Sequence, residues 1–518
     1  MAANEEEIVM TPSKKGKATR IKIERKRRKE LDPTQIAHEA GGQHKGLVVG
    51  KDIGEDKDDA SPQLQLEFKC WLEDAKSGMH IPEGRLIKFW FVDTASYLDR
   101  VTTAYEFFRD LVQPHDFPRD YVGFIKKCMK LMQNPMYSQA RKVDIELKPL
   151  DEEEAPMSPG GEFLVEVGQG DSNGLQKVDK RSDEEIAREK VLTTLETAYP
   201  NVLSVDDIVQ MTSVDTGLVS MVLDELKTKS LIVQMDQGSW MRQVHKDAKT
   251  EVKVVKQMPI IQRAQQPTIA IITSNYYEKI AVDSMMEEKT TFMRYKGTGG
   301  ESNVYTLGYI GEHRVVSTKL PMIGHSRAAK ISTGNTTTRL LGTFAQVDHV
   351  MLVGCGGGVP HFTDFYKHCR LGDVVISTPN QKGYMYIYCD KVVQDKDNQV
   401  QYTLKSWSPH DLLLQRISEQ MKEQFEANPD VRPWDVCIEE GLQLLGTQEQ
   451  DFSRPPASSD KLFMNVGGSD VIEVGHPPAP ENDKLYKADA PDHSFWHHRV
   501  RAPGRCQRLF TPGLCVPS

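Results

Sequence analysis

Long apolar runs are missing from this chain of 518 residues. The longest, such as "TIAII" and "HVMLVG", fall far short of the ~20 residues a helix needs to cross a bilayer, so no transmembrane segment and no membrane partner are expected. The opening "MAANEEEIVM" has neither a basic stretch nor the apolar stretch that follows it in a secretory signal. Cysteine is sparse. Cys70, Cys128, Cys355, Cys369, Cys389, Cys437, Cys506 and Cys515 form no C-x-x-C pair, which removes the case for a zinc site or a thioredoxin-like motif. No metal site is expected, and a reducing intracellular location, nucleus or cytoplasm, is the simplest reading.

What the chain does have is unevenly distributed. Net charge is −9, yet Lys14 to Lys29 reads "KKGKATRIKIERKRRK". Lys14, Lys15, Lys17, Arg25, Lys26, Arg27, Arg28 and Lys29 form either a nuclear-targeting or nucleic-acid patch or a solvated tail. Residues 1–62 as a whole are polar and charged and are expected to be a disordered basic tail. Residues 63–139 bring aromatic and aliphatic side chains. In "YLDRVTTAYEFFRDLV", Leu98, Val101, Tyr105, Phe108 and Val112 recur at helical spacing; "DYVGFIKKCMKLMQN" repeats the pattern with Tyr121, Phe124, Ile125, Cys128 and Met132. A small helical domain is expected there. Residues 140–182, rich in Pro, Gly and acid, read as a linker.

Residues 183–245 make a clearer unit. "EEIAREKVLTTLETA" places Ala187, Val191, Leu192 and Leu195 on one helix face. Ser204 is an N-cap with Asp207 at the capping-box position. A third helix carries Leu218, Val222 and Leu226, and "LIVQM", "DQGS" and "WMRQV" read as a β-hairpin. Three helices and a hairpin in this order resemble a winged-helix domain. Such domains often place the third helix in the DNA major groove, but here Asp215, Asp224 and Glu225 offset Lys227 and Lys229. Arg242 on the wing is a remaining cation. A DNA partner and a protein partner therefore both stay open, with a protein-docking or purely structural winged helix favoured over a DNA reader.

After a linker over 246–267, residues 268–492 alternate strand, helix and glycine turn. "TIAII" is a strand followed by a helix. "NVYTLGYI" and "HRVVSTKLP" are strands around Gly311–Glu312. "MIGHSRAAKISTGNTTTRLLGTF" is helical, "VDHVMLVG" is a strand buried on both faces, "CGGGVP" is a glycine turn and "RLGDVVIST" is a further strand. This alternation argues for an α/β domain that binds ligands at the carboxyl ends of its strands. The fold class expected overall is multidomain α plus α/β: a small helical domain, a winged helix and a C-terminally incomplete α/β sheet domain.

The ordered segments "IAIITSNYYEKIAV", "VYTLGYIGEHRVVSTKLP", "VMLVGCGGGVP" and "RLGDVVIST" resemble the nucleoside phosphorylase superfamily, which includes purine and uridine phosphorylases and methylthioadenosine/S-adenosylhomocysteine nucleosidases. The resemblance implies N-glycosidic bond cleavage in a nucleoside or nucleotide, with phosphate or water as nucleophile. It implies no cofactor beyond phosphate as a co-substrate, and an oligomeric protein. It places the nucleoside against Gly354, Gly356, Gly357 and Gly358, and phosphate against Gly324, His325, Ser326 and Arg327. Glu278 is the carboxylate in the turn after the first strand, either a catalytic acid or an ordinary helix-start acid. Asp373 is read as bracing its strand.

The chain departs from the superfamily after residue 380. The Met-Glu pair whose glutamate holds the ribose hydroxyls is not found. Glu439 and Glu440 lie in an amphipathic helix, and Asp470 lies in a polar segment with no buried strand before it. Residues 493–518 follow no period. A truncated or alternatively ended form is expected. Three readings remain: a phosphorylase or nucleosidase, a catalytically inactive nucleotide sensor or scaffold, and a nuclear winged-helix DNA- or protein-binding factor.

Overall fold

In "ATRIKIERKR" every second residue is apolar or long-stemmed, and the segment forms a strand, β2 (Ala18–Arg27), with Ile21 and Ile23 fully buried. It hydrogen-bonds antiparallel to β1 (Glu6–Lys15), which pairs in parallel with β4 (Leu47–Gly50) beside β3 (Ile36–Glu39). The expectation of a disordered tail over 1–62 is corrected here. The density of Lys and Arg hides a period-two pattern whose apolar half lies in a core. The computed structural model describes residues 6–15, 18–51, 61–73, 80–114, 116–118, 120–151, 154–156, 182–235, 238–244, 250–295, 302–321, 326–356, 360–380, 382–394, 400–428, 431–446, 448, 450–453, 455–467 and 470–478.

The chain divides into two compact units. The first comprises Met1–Val167, Gly358–Val431 and Pro455–Pro512. Its centre is a nine-stranded sheet that continues through β5 (Leu64–Glu73), β6 (His80–Phe91) and β7 (Ala140–Pro149) to β19 (Asp470–Val474) and β18 (Leu462–Gly467), in the order β18-β19-β5-β6-β7-β2-β1-β4-β3. Helices α1 (Tyr97–Leu111) and α2 (Tyr121–Gln133) occur where the spacing predicts them. Phe107, Phe108, Phe124 and Met132 share one buried cluster with Phe68, Ile87, Phe89, Val143 and Ile145 of the strands. The region 63–139 is therefore helix on sheet rather than a helical domain. An isolated pair of helices would leave its aromatic face wet, and the strands cover it.

Two further corrections concern sheet content. The N-terminal part of the expected linker 140–182 is β7, because Val143, Ile145 and Leu147 alternate inward. The segment around Asp470 is a buried hairpin, with Val466, Ile472 and Val474 at most 2% exposed. This unit also holds a separate hairpin of β16 (Tyr386–Gln394) and β17 (Val400–Trp407), and helix α8 (Leu413–Ala427). The "RLGDVVIST" segment lies here as well and forms no extended strand. Gly372 turns with φ +83°, Asp373 accepts the Arg370 N–H at 3.0 Å, and Leu371 and Val375 are exposed. A polar turn at the start of the run defeats its apolar half.

The second unit comprises Gly168–Gly357, Arg432–Arg454 and Gly513–Ser518. Its winged helix consists of α3 (Asp183–Ala198), α4 (Val205–Thr212), α5 (Thr216–Thr228), β8 (Ile232–Gln234) and β9 (Trp240–Arg242). Ser204 caps α4 and accepts the Asp207 N–H at 3.1 Å, while Asp207 returns the bond to the Ser204 N–H. Val191, Leu195, Ile208, Val219, Leu223 and Trp240 fill the core of this domain.

A six-stranded sheet follows in the order β10-β12-β13-β14-β11-β15. Its strands are β10 (Glu251–Val254), β11 (Ile269–Thr273), β12 (Glu287–Arg294), β13 (Asn303–Ile310), β14 (His313–Lys319) and β15 (His349–Leu352), with helices α6 (Tyr276–Ser284), α7 (Ser326–Thr343) and, from the later segment, α9 (Trp434–Leu445). β10 lies in the expected linker 246–267; it pairs with β12 through Val252 and Val254. β11 is parallel to both β14 and β15. β15, read as buried on both faces, is an edge strand with Val350 43% and Leu352 75% exposed. A continuous apolar run does not by itself require a strand on each side. No described helix is long and apolar enough to cross a membrane. The single domain expected over 268–492 is therefore divided between the two units.

Candidate functional site

β11 leads through α6 to β12, on the β14 side of the sheet, and β14 leads through α7 to β15 on the other side of β11. The carboxyl ends of β14, β11 and β15 thus meet at a topological switch point, where α/β sheets take their ligands. α6 begins directly after β11. Asn275 is its N-cap, accepting the Tyr277 N–H at 2.8 Å, and Glu278 is the third residue of the first turn.

Glu278 is the best-connected group here. One carboxylate oxygen accepts from the Ser274 N–H at 3.0 Å, the Ser274 hydroxyl at 3.1 Å and the Asn275 N–H at 2.9 Å. The other accepts the backbone N–H of Cys355 at 2.8 Å. The carboxylate therefore spans from the first turn of α6 to the glycine turn after β15. The helix-start reading of this residue is seen directly, as Glu278 is the capping-box acid of α6, and its carboxylate lies at the carboxyl ends of β11 and β15.

The opening of the glycine turn has a local reason to lack a side chain. A Cβ on Gly354 would lie 2.9 Å from Glu278 Oε1 and 3.0 Å from its Cδ, so glycine here makes room for the carboxylate. Gly356 is exposed, with no heavy atom of a described residue within 4 Å of where its Cβ would be. Gly357 and Gly358 lie outside the described residues, as do Gly324 and His325 of the expected phosphate turn. Ser326 and Arg327 open α7; their side chains also lie outside the described residues.

A second set of residues, not singled out in the sequence, surrounds the base of this end. Lys319, the last residue of β14, is 1% exposed and donates to the carbonyls of Thr197 (2.9 Å), Tyr199 (3.1 Å) and Leu320 (3.0 Å). Burial pushes its pKa down from 10.5 to about 7, against the pull of Glu196 and Glu278. Three carbonyl acceptors nonetheless match the three N–H bonds of an ammonium group. Behind α6, Lys279 pairs with Asp283 and donates to the Thr306 hydroxyl at 2.8 Å. A cavity with room for roughly one water lies among Tyr199, Tyr276, Lys279, Asp283, Thr291 and Thr306. A buried lysine ending a strand in "VVSTK" gives no period or motif to read.

The named cations of the winged helix are engaged, and so are Arg25, Lys26 and Arg28 of the N-terminal run. Arg242 is 5% exposed and donates to Glu196 at 3.1 Å, so the wing has no free arginine there. Lys229 bonds Glu225 at 2.7 Å, and Lys227 bonds Gln234 at 2.8 Å. Between Ser182 and Val244 eleven carboxylates stand against five cations. In the N-terminal run, Arg25 is buried and donates to the carbonyls of Met132 and Tyr137. Lys26 pairs with Glu24 at 3.0 Å, and Arg28 pairs with Glu7 and Glu39. Lys14, Arg27 and Lys29 are exposed on β1, on β2 and after it; Lys17 and the side chain of Lys15 lie outside the described residues. The run is a folded hairpin rather than a free basic peptide.

Known proteins offer a relative and a domain family. A protein from the fungus Hyaloscypha variabilis, described as a nucleotide-binding leucine-rich repeat (NLR)-like protein, is 31% identical over 166 residues. That match covers 28% of this chain and 16% of the relative, so the chain spans a small part of the relative's length. No solved structure matches. Residues 177–244 match the family model of the winged helix-turn-helix domain, and this part of the chain is a winged helix-turn-helix domain.

Proposed function

We propose that this chain is a nucleotide- or nucleoside-sensing protein. Its half-parallel sheet binds the ligand at the carboxyl ends of β14, β11 and β15, and its winged helix docks a protein partner. The observation that carries this reading is the approach of the Glu278 carboxylate to the bare backbone of Gly354 and Cys355, with Gly356 exposed. A carboxylate accepts hydrogen bonds from ligand hydroxyl or amino groups, as the sugar or base of a nucleoside presents them. The resemblance of the segments "IAIITSNYYEKIAV", "VYTLGYIGEHRVVSTKLP" and "VMLVGCGGGVP" to nucleoside phosphorylases is consistent with a nucleoside-sized ligand, and the description of the fungal relative as nucleotide-binding agrees with it. The excess of carboxylates over the winged helix, with Arg242, Lys227 and Lys229 engaged, disfavours a polyanion and favours a protein partner.

The second reading is turnover: cleavage of an N-glycosidic bond by phosphate or water, with the Glu278 carboxylate accepting a hydrogen bond from a ribose hydroxyl. Its support is the same carboxylate at the same turn. Titration calorimetry with adenosine, inosine, uridine and their 5′-phosphates, with and without inorganic phosphate, tests both readings when coupled to chromatography for free base. Heat without free base is the expected result. Free base establishes turnover, and no heat with any of the compounds sinks both readings.

A further inference from the structure

Three consecutive residues at the start of α6 face three different structures. Tyr276 donates its hydroxyl to the Gln243 carbonyl at 3.0 Å, just after β9, and its ring lies 4.7 Å under the Arg242 guanidinium. Tyr277 donates its hydroxyl to Glu196 at 2.7 Å, in the last turn of α3. Glu278 accepts the Cys355 N–H at the glycine turn. Glu196 also receives Arg242, so α3, the wing and α6 share one carboxylate, itself 8% exposed. Tyr199 and Met241 of the winged helix share a buried cluster with Tyr276, Ile280 and Val304 of the sheet side. Lys319 ties the end of β14 to the carbonyls that close α3.

From this we infer that the first turn of α6 couples the glycine-turn site to the winged helix. A ligand that takes the Cys355 N–H from Glu278 shifts that turn and with it the Tyr276 and Tyr277 hydroxyls that hold α3 and the wing. A helical turn is stiff because its backbone is bonded from residue to residue four apart, so a displacement of its third residue is felt at its first and second. By linkage, a partner that pulls on the winged helix changes ligand affinity by the same factor. The ligand half of this inference rests on the proposed function; the mechanical half does not.

Amide hydrogen exchange on the full chain tests it. Gly354→Ala imitates the ligand, because the added Cβ pushes on Glu278 from 2.9 Å. The reporters are the Leu203 and Trp240 amides, which form reciprocal bonds of 2.9 and 2.7 Å inside the winged helix. Coupling predicts that their exchange rises by roughly fivefold or more, in the range of ordinary allosteric couplings. Exchange altered only over residues 270–285 and 349–356 overturns it. Tyr277→Phe tests the coupling from the other end without added bulk. It removes one hydroxyl, and faster exchange of the Cys355 amide is expected; an unchanged Cys355 amide overturns the coupling even if Gly354→Ala fails to fold. Calorimetry with adenosine and uridine reads the ligand half separately. No heat there withdraws the ligand, while the two variants still decide the coupling.

Discussion

The winged helix and the nine-stranded sheet are held together across very different distances along the chain. Every strand and helix of the winged helix lies between Asp183 and Arg242, and its core residues recur at helical spacing. The nine-stranded sheet gathers strands from Glu6 to Val474, and β5 gains its outer neighbour from Glu473 and Val474, some four hundred residues later. Short closures cost little chain entropy, and long ones must be offset by burial. That difference explains why the first is easily recognised from local pattern and the second is not. It also predicts where the molecule is most sensitive to change.

The largest effect is expected in the long-range core. Phe68 is fully buried and lies 5.5 Å from the Phe108 ring and 6.4 Å from Phe124, so Phe68→Ala should cost about 3–5 kcal/mol. Urea unfolding should show the loss in the first unit's transition, with the winged-helix amides retaining their exchange protection. Equal loss of protection in both units would erase the contrast between them.

Lys319 sharpens the comparison from within the second unit, where a long-range tie holds the otherwise local winged helix. Its folded pKa of about 7 lies below the ordinary 10.5, so between those values the unfolded chain binds more protons than the folded one. Stability from this group therefore rises with pH across that window and is flat below about pH 7. Lys319→Met should remove the slope. Wild-type stability relative to the variant should increase from pH 7 to 10 by on the order of a few kcal/mol, measured by denaturant midpoints at each pH. A constant difference would show that the amine stays charged throughout.

Glu278→Gln keeps the shape of the side chain and removes the charge that four donors share. A loss of about 1–3 kcal/mol is expected, with faster exchange of the Cys355 amide. If the winged helix remains as protected as before, the coupling through Tyr277 is weaker than the geometry implies. The smallest effect should come from a purely local device. Ser204→Ala removes the cap of α4 and should cost about 1 kcal/mol, confined to the winged helix and readable as lost protection at Asp207 and Ile208.

Legibility followed the same division. The α1 and α2 helices, the winged helix with its Ser204–Asp207 cap, and the β13–β14 hairpin at Gly311 could all be read from neighbouring residues. The β2 strand could not, because the charge of "RIKIERKRR" concealed an alternation that matters only once a sheet exists to bury Ile21 and Ile23. "RLGDVVIST" failed in the opposite direction, since its apolar half is real but Gly372 and the Asp373–Arg370 bond bend the chain. At the candidate site, Glu278 and Gly354 were each visible as residue types in suggestive turns. Their close approach to each other was not, nor was the role of Lys319, whose three acceptors belong to distant segments.

What the sequence determined alone is the set of local elements: where helices start, which faces are apolar, where glycine permits a turn. These depend on side-chain periodicity and backbone freedom over a few residues. The tertiary structure decided which strands became neighbours, that basic residues near the N-terminus entered a sheet, and that Tyr276, Tyr277 and Glu278 each reach a different partner. Those outcomes come from burial and hydrogen bonding between segments far apart in the chain, and no local spacing records them.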